Sequence, residues 1–567
     1  MAQQQQNITI SAPGFQGLNT EDSPIDQNPG FCRIANNAIV DQFGRIGSRK
    51  AFAEYTTAVN VTYSADPSAV TTATDAHAIG FGDINGTDYV LTTVSVTQKD
   101  SSGATLQEDY FLCKLTEASP DVFELDELTY PTLTDNSTLV NAKIVGFRDK
   151  LFIFSAGNEC MVYDGTTVTL LFTGTIDVDY IPPTDDSGVL ASAIDGEIAT
   201  AAYGRLWVAG VNGDYSTIYY SDLLVPTQWY DGRAAPVDAQ NTAGILDVSE
   251  YWPNGSDRIR AIVAHNGALY VFGRESILVY NNAATGDPAG TDGIFLADTI
   301  TNMGALNQDA VININSDVLF VDDSGVRSLG RTIQEKSVPI GDLSYNVRGD
   351  IQQLIANTSD DNVTLSYWPN ESLVVALFPA SEQAYVFEKR QASATGGFKA
   401  TRWNSCKFNR MLYAVLNGET KYLLTSNDSM GLLSYEGNEE YNSKVIQFEY
   451  VSNLLTFGQS ANAKFLKQVD FTVVNLGDEV RAFGGWGFTP YIQYNKEFTI
   501  PEFDAALYDL GVFNTSLYAL DRTEIRRYRV NTKGSGDAVC VGIRADVRGA
   551  SISLQEINVQ TLLGRII

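Results

Sequence analysis

Residues 259–282 read IRAIVAHNGALYVFGRESILVYNN: an apolar strand, a tight polar turn, a second apolar strand and a third that ends in another turn. Asn266-Gly267 supplies the two positive-φ positions that a two-residue hairpin needs. The run "ALYVF" is apolar at every position, whereas a half-buried strand alternates apolar and polar residues. A continuous run of this kind suits a sheet packed on both faces.

The same pattern recurs along the chain. It is present at 76–94 (AHAIGFGDINGTDYVLTTV), 142–165, 198–222, 259–282, 310–331, 362–390 and 409–437, seven copies in all. The first large apolar residue after each turn is Tyr89, Leu151, Leu206, Leu269, Leu319, Leu373 and Tyr422, at intervals of 62, 55, 63, 50, 54 and 49 residues. Repeats of about 50 residues made of short strands are the mark of propeller blades. One blade cannot bury its own faces, but a closed ring of them can, and the ring removes most open edges. The expected fold is therefore all-β, a β-propeller of six or seven blades over residues 56–439. Paired β-sandwiches fit the continuous runs "LFIF", "LYVF" and "LVVAL" less well.

One segment breaks the β pattern. In SYNVRGDIQQLIANT (344–358), Val347, Ile351 and Leu354 fall at helical spacing and predict a short amphipathic helix packed on the ring. From about residue 440 the strands lengthen, with alternation in Val541, Ile543 and Ala545 and again, with one slip, in Ile552, Leu554 and Ile557. This predicts a separate antiparallel sandwich over 440–567.

Charge is distributed unevenly. The chain of 567 residues carries a net charge of −30, which argues against a phosphate-neutralising or anionic-membrane-binding protein. Residues 1–50 hold four acidic and four basic side chains and residues 441–567 hold thirteen of each, so the body between has 51 acidic against 21 basic. No run of 18 apolar residues is present, so no membrane insertion is expected, and MAQQQQNITI lacks the features of a secretory leader. Maturation in the cytosol is the expectation. Cys32, Cys113, Cys160, Cys406 and Cys540 lie far apart without a C-x-x-C, and read as free, mostly buried thiols.

Chemistry-bearing motifs are absent from this reading. His77 and His265 are the two histidines, each inside an expected strand, and cannot form a three-histidine zinc site. There is neither a phosphate-binding loop nor a G-x-S-x-G elbow. The glycines of FGGWGF (483–488) read as a bend or a close backbone approach. DINGTD (83–88) and DDSG (322–325) lack the full ligand spacing of a calcium loop and read as turns. No catalytic residue, metal or cofactor is expected, and the chain is not expected to be an enzyme.

Several stretches together resemble one family. These are GLNTEDSPIDQNPGFCRIANNAIVDQFGRIGSRKAF (17–52), IYYSDLLVPTQWY (218–230), LYVFGRESILVYNN (269–282), TNMGALNQDAVININSDVLFVDDSGVRSLG (301–330) and RADVRGASISLQEINVQTLLGRII (544–567). In their order they are similar to the tail nozzle proteins of short-tailed bacteriophages, also called tail tubular protein B. The resemblance implies a structural virion protein of the tail, assembled in the host cytoplasm as a homo-hexamer. The ring would dock below a phage adaptor ring, with tail fibres as further partners, and DNA would pass through its channel without specific binding. An acidic chain with no basic stripe suits a conduit that must not hold phosphate.

The opening arm, 1–55, has Pro24, Pro29 and glycines that prevent a helix, and short strand pieces whose backbone groups need partners. It is expected to build a platform jointly with the C-terminal region, the propeller being inserted between them. Candidate interface residues are Phe15, Leu18, Phe43, Arg45, Arg49 and Lys50 on the arm, and Arg522, Arg526, Arg527 and Arg529 as its dock. A competing expectation from another class is a glycan- or receptor-binding propeller with hydrolase activity.

Overall fold

The computed structural model describes residues 5–25, 27–171, 194–229, 242–283, 293–334, 342–358, 362–428, 431–502 and 524–566. Seven strands surround an axis: Thr71–Ile84, Lys143–Gly146, Ile198–Ala202, Ala261–His265, Val311–Asn313, Thr364–Trp368 and Phe408–Leu416. Each contacts the next and the last contacts the first, so the ring is closed. Each is also the innermost strand of an antiparallel blade. Six blades are separate sheets of three to five strands, and the sixth in order, starting at Thr364, is one end of a ten-stranded sheet. The fold is a β-propeller, as the repeats predict.

The continuous apolar runs have a direct physical reading in this ring. In "LFIF", Leu151 and Ile153 pack towards blade one while Phe152 and Phe154 pack towards blade three. In "ALYVF", Leu269 and Val271 fill the gap to blade three, and Ala268, Tyr270 and Phe272 the gap to blade five. A strand with two buried faces leaves no position for a polar residue, which is why alternation is missing. The hairpin turns follow their chemistry as well: φ is 52° and 81° at Asn85-Gly86, 48° and 80° at Asn266-Gly267, and 50° and 83° at Asn417-Gly418.

Ring closure uses the N-terminal side of the chain. Phe52–Glu54 pairs with Leu433–Tyr435 as the outer strand of blade seven, and Thr56–Asn60 then runs parallel to Val122–Glu127 on blade one. Residues 52–60 thus clasp the last blade to the first, and the expected boundary at 55/56 falls inside the clasp. Phe52 is buried among Phe408, at 4.5 Å between ring centroids, Trp403 and Tyr435.

Beyond the propeller, two sheets share one core. A seven-stranded sheet holds Asn462–Gly477, Glu524–Asn531 and Ala550–Ile566 together with the arm strands Gln5–Ser11, Ala38–Val40 and Ile46–Ser48. The second is the ten-stranded sheet, in which the arm strand Phe31–Asn36 lies between blade six (Phe398–Asn404) and Ile446–Ser452. The sequence reading of a separate sandwich is therefore corrected: that sheet is continuous with blade six, through the arm. Phe471, Ile557, Phe448 and Ile543 meet in one apolar cluster that also takes in Phe15 and Leu18. The slip between Leu554 and Ile557 is a β-bulge, since Thr472 faces Glu556 and Val473 faces Leu554, leaving Gln555 unmatched.

The expected helix spans Arg348–Ala356 and buries Ile351 and Ile355. Its N-terminal turn grips the arm. The Gly349 N–H donates to the Glu21 carboxylate at 3.1 Å, the Thr20 hydroxyl donates to Asp350 at 2.9 Å, and the Thr20 N–H donates to the Asn346 carbonyl at 2.8 Å. An acidic side chain at this end meets unsatisfied N–H groups and the positive end of the helix dipole. A few residues earlier, Gly17 has φ +81°, and a Cβ there would lie 2.5 Å from the Ala400 carbonyl oxygen of blade six. Gly17→Ala is therefore expected to cost about 1–3 kcal/mol, read as a lower denaturation midpoint and faster proteolysis of the arm.

Candidate functional site

The arm residues singled out in the sequence divide into interior and surface groups. Phe15 and Leu18 are buried, Phe15 edge-on to Tyr450 at 5.8 Å, so they hold the arm on its own chain and offer no surface. Arg49 is buried too: its guanidinium pairs with Glu440 at 2.6 Å, donates to the Lys50 carbonyl and lies over the Phe52 ring at 4.3 Å. Lys50 pairs with Glu371 of blade six. Phe43 is 56% exposed at the tip of the hairpin Ala38–Ser48, with the Arg45 guanidinium 4.5 Å over its ring.

The expected dock is elsewhere. Arg526, Arg527 and Arg529 lie on the edge strand Glu524–Asn531, Arg527 pairing with Glu556 and Arg529 with the buried Asp470. Strands 462–477 and 550–566 separate that edge from the arm strand Ile46–Ser48, which pairs with Ser553 and Leu554. The arm thus enters the C-terminal sheet from the side opposite these arginines. Arg522 lies outside the described residues.

A second site, which sequence reasoning missed, lies on the propeller axis. The Asp309 carboxylate is held between Lys143 of blade two and Arg410 of blade seven, the latter at 2.9 Å. This ion cluster separates two cavities. One, of ≈310 Å³, runs between the inner strands past Ile79, Ile144 and Leu412. The other, of ≈330 Å³, opens as a mouth lined by Glu197, Tyr215, Arg258 and Arg260. Burial pushes the Asp309 carboxyl upward, but the Lys143 ammonium and Arg410 guanidinium outweigh it and hold the group at about 2. A group so depressed contributes stability that is complete above its unfolded value of about 3.9 and is lost as pH falls through about 2. Asp309→Asn, which leaves the two cations facing each other, is expected to cost about 1–3 kcal/mol at pH 7. The difference between the two proteins' thermal midpoints should shrink between pH 4 and pH 2.

Five of the mouth residues share one place in the repeat. Lys143, Glu197, Arg260, Asp309 and Arg410 each sit at or just around the entry to an innermost strand. Their offsets from the strand starts run from two before to two after, so no alignment of the copies puts the five in one column, and no signal for the mouth is visible in the sequence. In the mouth the Tyr215 hydroxyl donates to Glu197 at 2.5 Å, and the Arg258 guanidinium lies 5.4 Å from the centre of the Tyr215 ring.

Other motifs are absorbed by turn and packing roles. The Asp322 carboxylate accepts from Ser324 and Gly325 and pairs with Arg327; Asp83 accepts from Gly86. His77 faces the Ser95 hydroxyl at 2.8 Å, and burial pushes its imidazole down to about 4. A Cβ on Gly487 would lie 2.2 Å from the Tyr491 carbonyl, the close approach expected of FGGWGF. All five cysteines are buried and free. Among the described residues no group of three His, Cys, Asp or Glu side chains could hold a metal ion, and no helix is long and apolar enough to cross a membrane.

No family model matches the chain, and no curated protein matches it. Solved structures that it resembles include YCF48 bound to D1 peptide, at 9% identity and TM-score 0.31, covering 65% of this chain and 93% of that one. An exo-β-1,3-galactanase from Phanerochaete chrysosporium is similar at 9% identity and TM-score 0.23, covering 74% and 95%. The periplasmic gluconolactonase of Pseudomonas aeruginosa is similar at 12% identity and TM-score 0.23, covering 55% and 83%. Likenesses at this level carry no argument about activity.

Proposed function

We propose that this chain is a structural subunit of a viral tail, the nozzle of a short-tailed bacteriophage, acting as a hexameric ring below the portal-adaptor complex. The observation that supports it best is the joint platform. Both chain ends enter two sheets with one core, and the propeller is carried on that body through blade six. This gives a stiff base suited to stacking on an adaptor ring, with tail fibres as further partners and the virion tail as destination. The propeller's own axis is bridged by Lys143, Asp309 and Arg410, so a DNA channel would form between subunits and not within one. A surface with net charge −30 would keep phosphate from sticking there. Catalysis has no part in this reading. Electron microscopy of the purified chain, alone and with an adaptor ring, is the test: closed six-fold rings are expected, and a persistent monomer or trimer under both conditions would overturn it.

A second reading, a glycan- or receptor-binding propeller, is favoured by the polar mouth on the axis. Hydrolysis by Asp309 is not part of it. A glycosidase pair needs one carboxyl raised so that it can give up a proton near neutrality, whereas Asp309 is driven the other way.

A further inference from the structure

The seven-stranded sheet of the platform has two open sides. On one, Gln5–Ser11 pairs with Ala550–Ile566; on the other, Glu524–Asn531 is the end strand and pairs with Asn462–Gly477. The Ala12 N–H donates to the Gln555 carbonyl at 2.9 Å, and in that register Ile10, Ile8 and Gln6 bond to the inner strand while Asn7 and Thr9 turn their N–H and C=O groups away from it. The Thr532 N–H donates to the Lys467 carbonyl at 3.1 Å, so Val530, Tyr528 and Arg526 bond inward and Ile525, Arg527 and Arg529 turn their backbone groups outward. Among the described residues no strand pairs with either outward row. Both strands run without a bulge, and QQNITIS has neither a charge nor a proline, so the devices that blunt an exposed edge are missing there. Asn7 and Thr9 are exposed, and so is Ile525 at 59%. A groove of ≈550 Å³ runs beside Gln6, Asn7 and Ile8, with Ile25, Leu454 and Phe457 as its apolar lining.

We infer that Gln5–Ser11 of one subunit pairs with Glu524–Asn531 of a second copy of this chain, so that the platform sheets of successive subunits join head to tail. This deepens the nozzle reading and rests on it for closure into a ring. The strand directions agree. Gln5–Ser11 is antiparallel to Ala550–Ile566, which is antiparallel to Asn462–Gly477, which is antiparallel to Glu524–Asn531. The two open strands therefore run opposite ways, and a copy brought round without inversion continues the sheet with one more antiparallel ladder. Charge selects the same pairing: two copies of the strand that carries Arg526, Arg527 and Arg529 repel each other, whereas the neutral arm strand sets no like charge against them. Pairing of the arm strand with itself would be two-fold, would stop at a dimer and would leave Ile525 in water. A contact between two different patches repeats from copy to copy and closes where the rotation allows. The added strand satisfies the outward groups of Asn7 and Thr9 and covers Ile25, which is 48% exposed beside them. The arginine strand, which receives no arm within its own chain, thus receives the arm of the next.

The test is sedimentation and electron microscopy of the full chain, alone and with an adaptor ring, beside the variants Thr9→Pro and Ile525→Pro. Each proline removes an outward N–H that the strand's own ladder does not use, the position at which an edge strand tolerates proline. A circular dichroism melt of each variant establishes that the fold is kept. The full chain is expected to form rings, and each variant to associate at least about tenfold more weakly, the loss of one ladder bond with its acceptor left unsatisfied. Hydrogen exchange on the unmodified chain gives a second readout. In rings, residues 5–11 should exchange more slowly than in monomeric Ile525→Pro, and residues 524–531 more slowly than in monomeric Thr9→Pro. Rings from either variant, or rings in which both segments exchange as fast as in the monomers, would overturn the inference and leave the nozzle reading standing. A two-fold dimer that Ile525→Pro leaves intact would overturn it too. Open filaments with both segments protected would uphold the inference and overturn the nozzle reading, and a persistent monomer under both conditions would remove the two together.

Discussion

Removal of residues 1–50 is expected to open the platform while the propeller survives. The deletion takes Phe31–Asn36 from between blade six and Ile446–Ser452, which cuts the ten-stranded sheet in two. It also takes Gln5–Ser11 and Ile46–Ser48 from the edge of Ala550–Ile566. Two long strands would then present unpaired backbone groups beside an uncovered apolar core. Ile10, Phe15, Leu18, Phe31 and Ile46 are all buried. At about 1.5–3 kcal/mol each they account for about 8–15 kcal/mol, as much as a typical domain has in total. The clasp at residues 52–60 loses the Arg49 contacts to Glu440 and Phe52 but keeps its strand pairing with blades seven and one, so the ring can still close. Limited proteolysis should digest the C-terminal region and leave a resistant fragment spanning roughly residues 52–440, and electron microscopy should find no rings. Intact hexamers from the shortened chain, or a C-terminal region as resistant as in the full chain, would sink the idea that the arm completes the platform.

How much of this was legible depends on how far apart the partners lie in the chain. The blades are local objects: strand, Asn-Gly turn and strand occur within some twenty residues, so "ALYVF" with Asn266-Gly267 announces both the hairpin and its two buried faces. The bulge at Gln555 was visible as a slip in the alternation of Leu554 and Ile557, because a one-residue insertion is a local event too. The platform's partners are not local. Nothing in "GSRK" shows that Glu440 waits for Arg49, so half of a buried ion pair reads as a candidate interface residue. Nor does the charge of Glu21 show that it meets the helix start at Gly349. The axial mouth is the extreme case, since Lys143, Asp309 and Arg410 meet only because seven repeats close into a ring. In the sequence each is one charged residue among many, at a different offset from the start of its strand.

Arg49→Ala is expected to destabilise the chain by about 3–5 kcal/mol. Both members of the Arg49–Glu440 pair are almost fully buried, with 5% and 7% of their side chains exposed. Cutting Arg49 back to alanine leaves the Glu440 carboxylate without its counter-charge, next to the Phe52 N–H and the aromatic cluster around Phe52. It also empties the space that the guanidinium fills over the Phe52 ring, and it removes the bond to the Lys50 carbonyl. The damage falls where arm, clasp and platform meet, so the arm and blade seven should loosen together. The cost has two sources, the stranded charge and the lost packing, and a second variant separates them. Arg49→Met with Glu440→Gln keeps most of the volume and removes both charges. If the stranded carboxylate dominates, the double variant should regain most of the loss; if packing and the Lys50 bond dominate, it should regain little. Denaturant midpoints of the three proteins, with proteolysis at the 48–56 segment as a local readout, decide the matter. A cost below about 1 kcal/mol for Arg49→Ala, the range of an exposed pair, would mean that water reaches Glu440 and that the arm is not sealed against the propeller at this point.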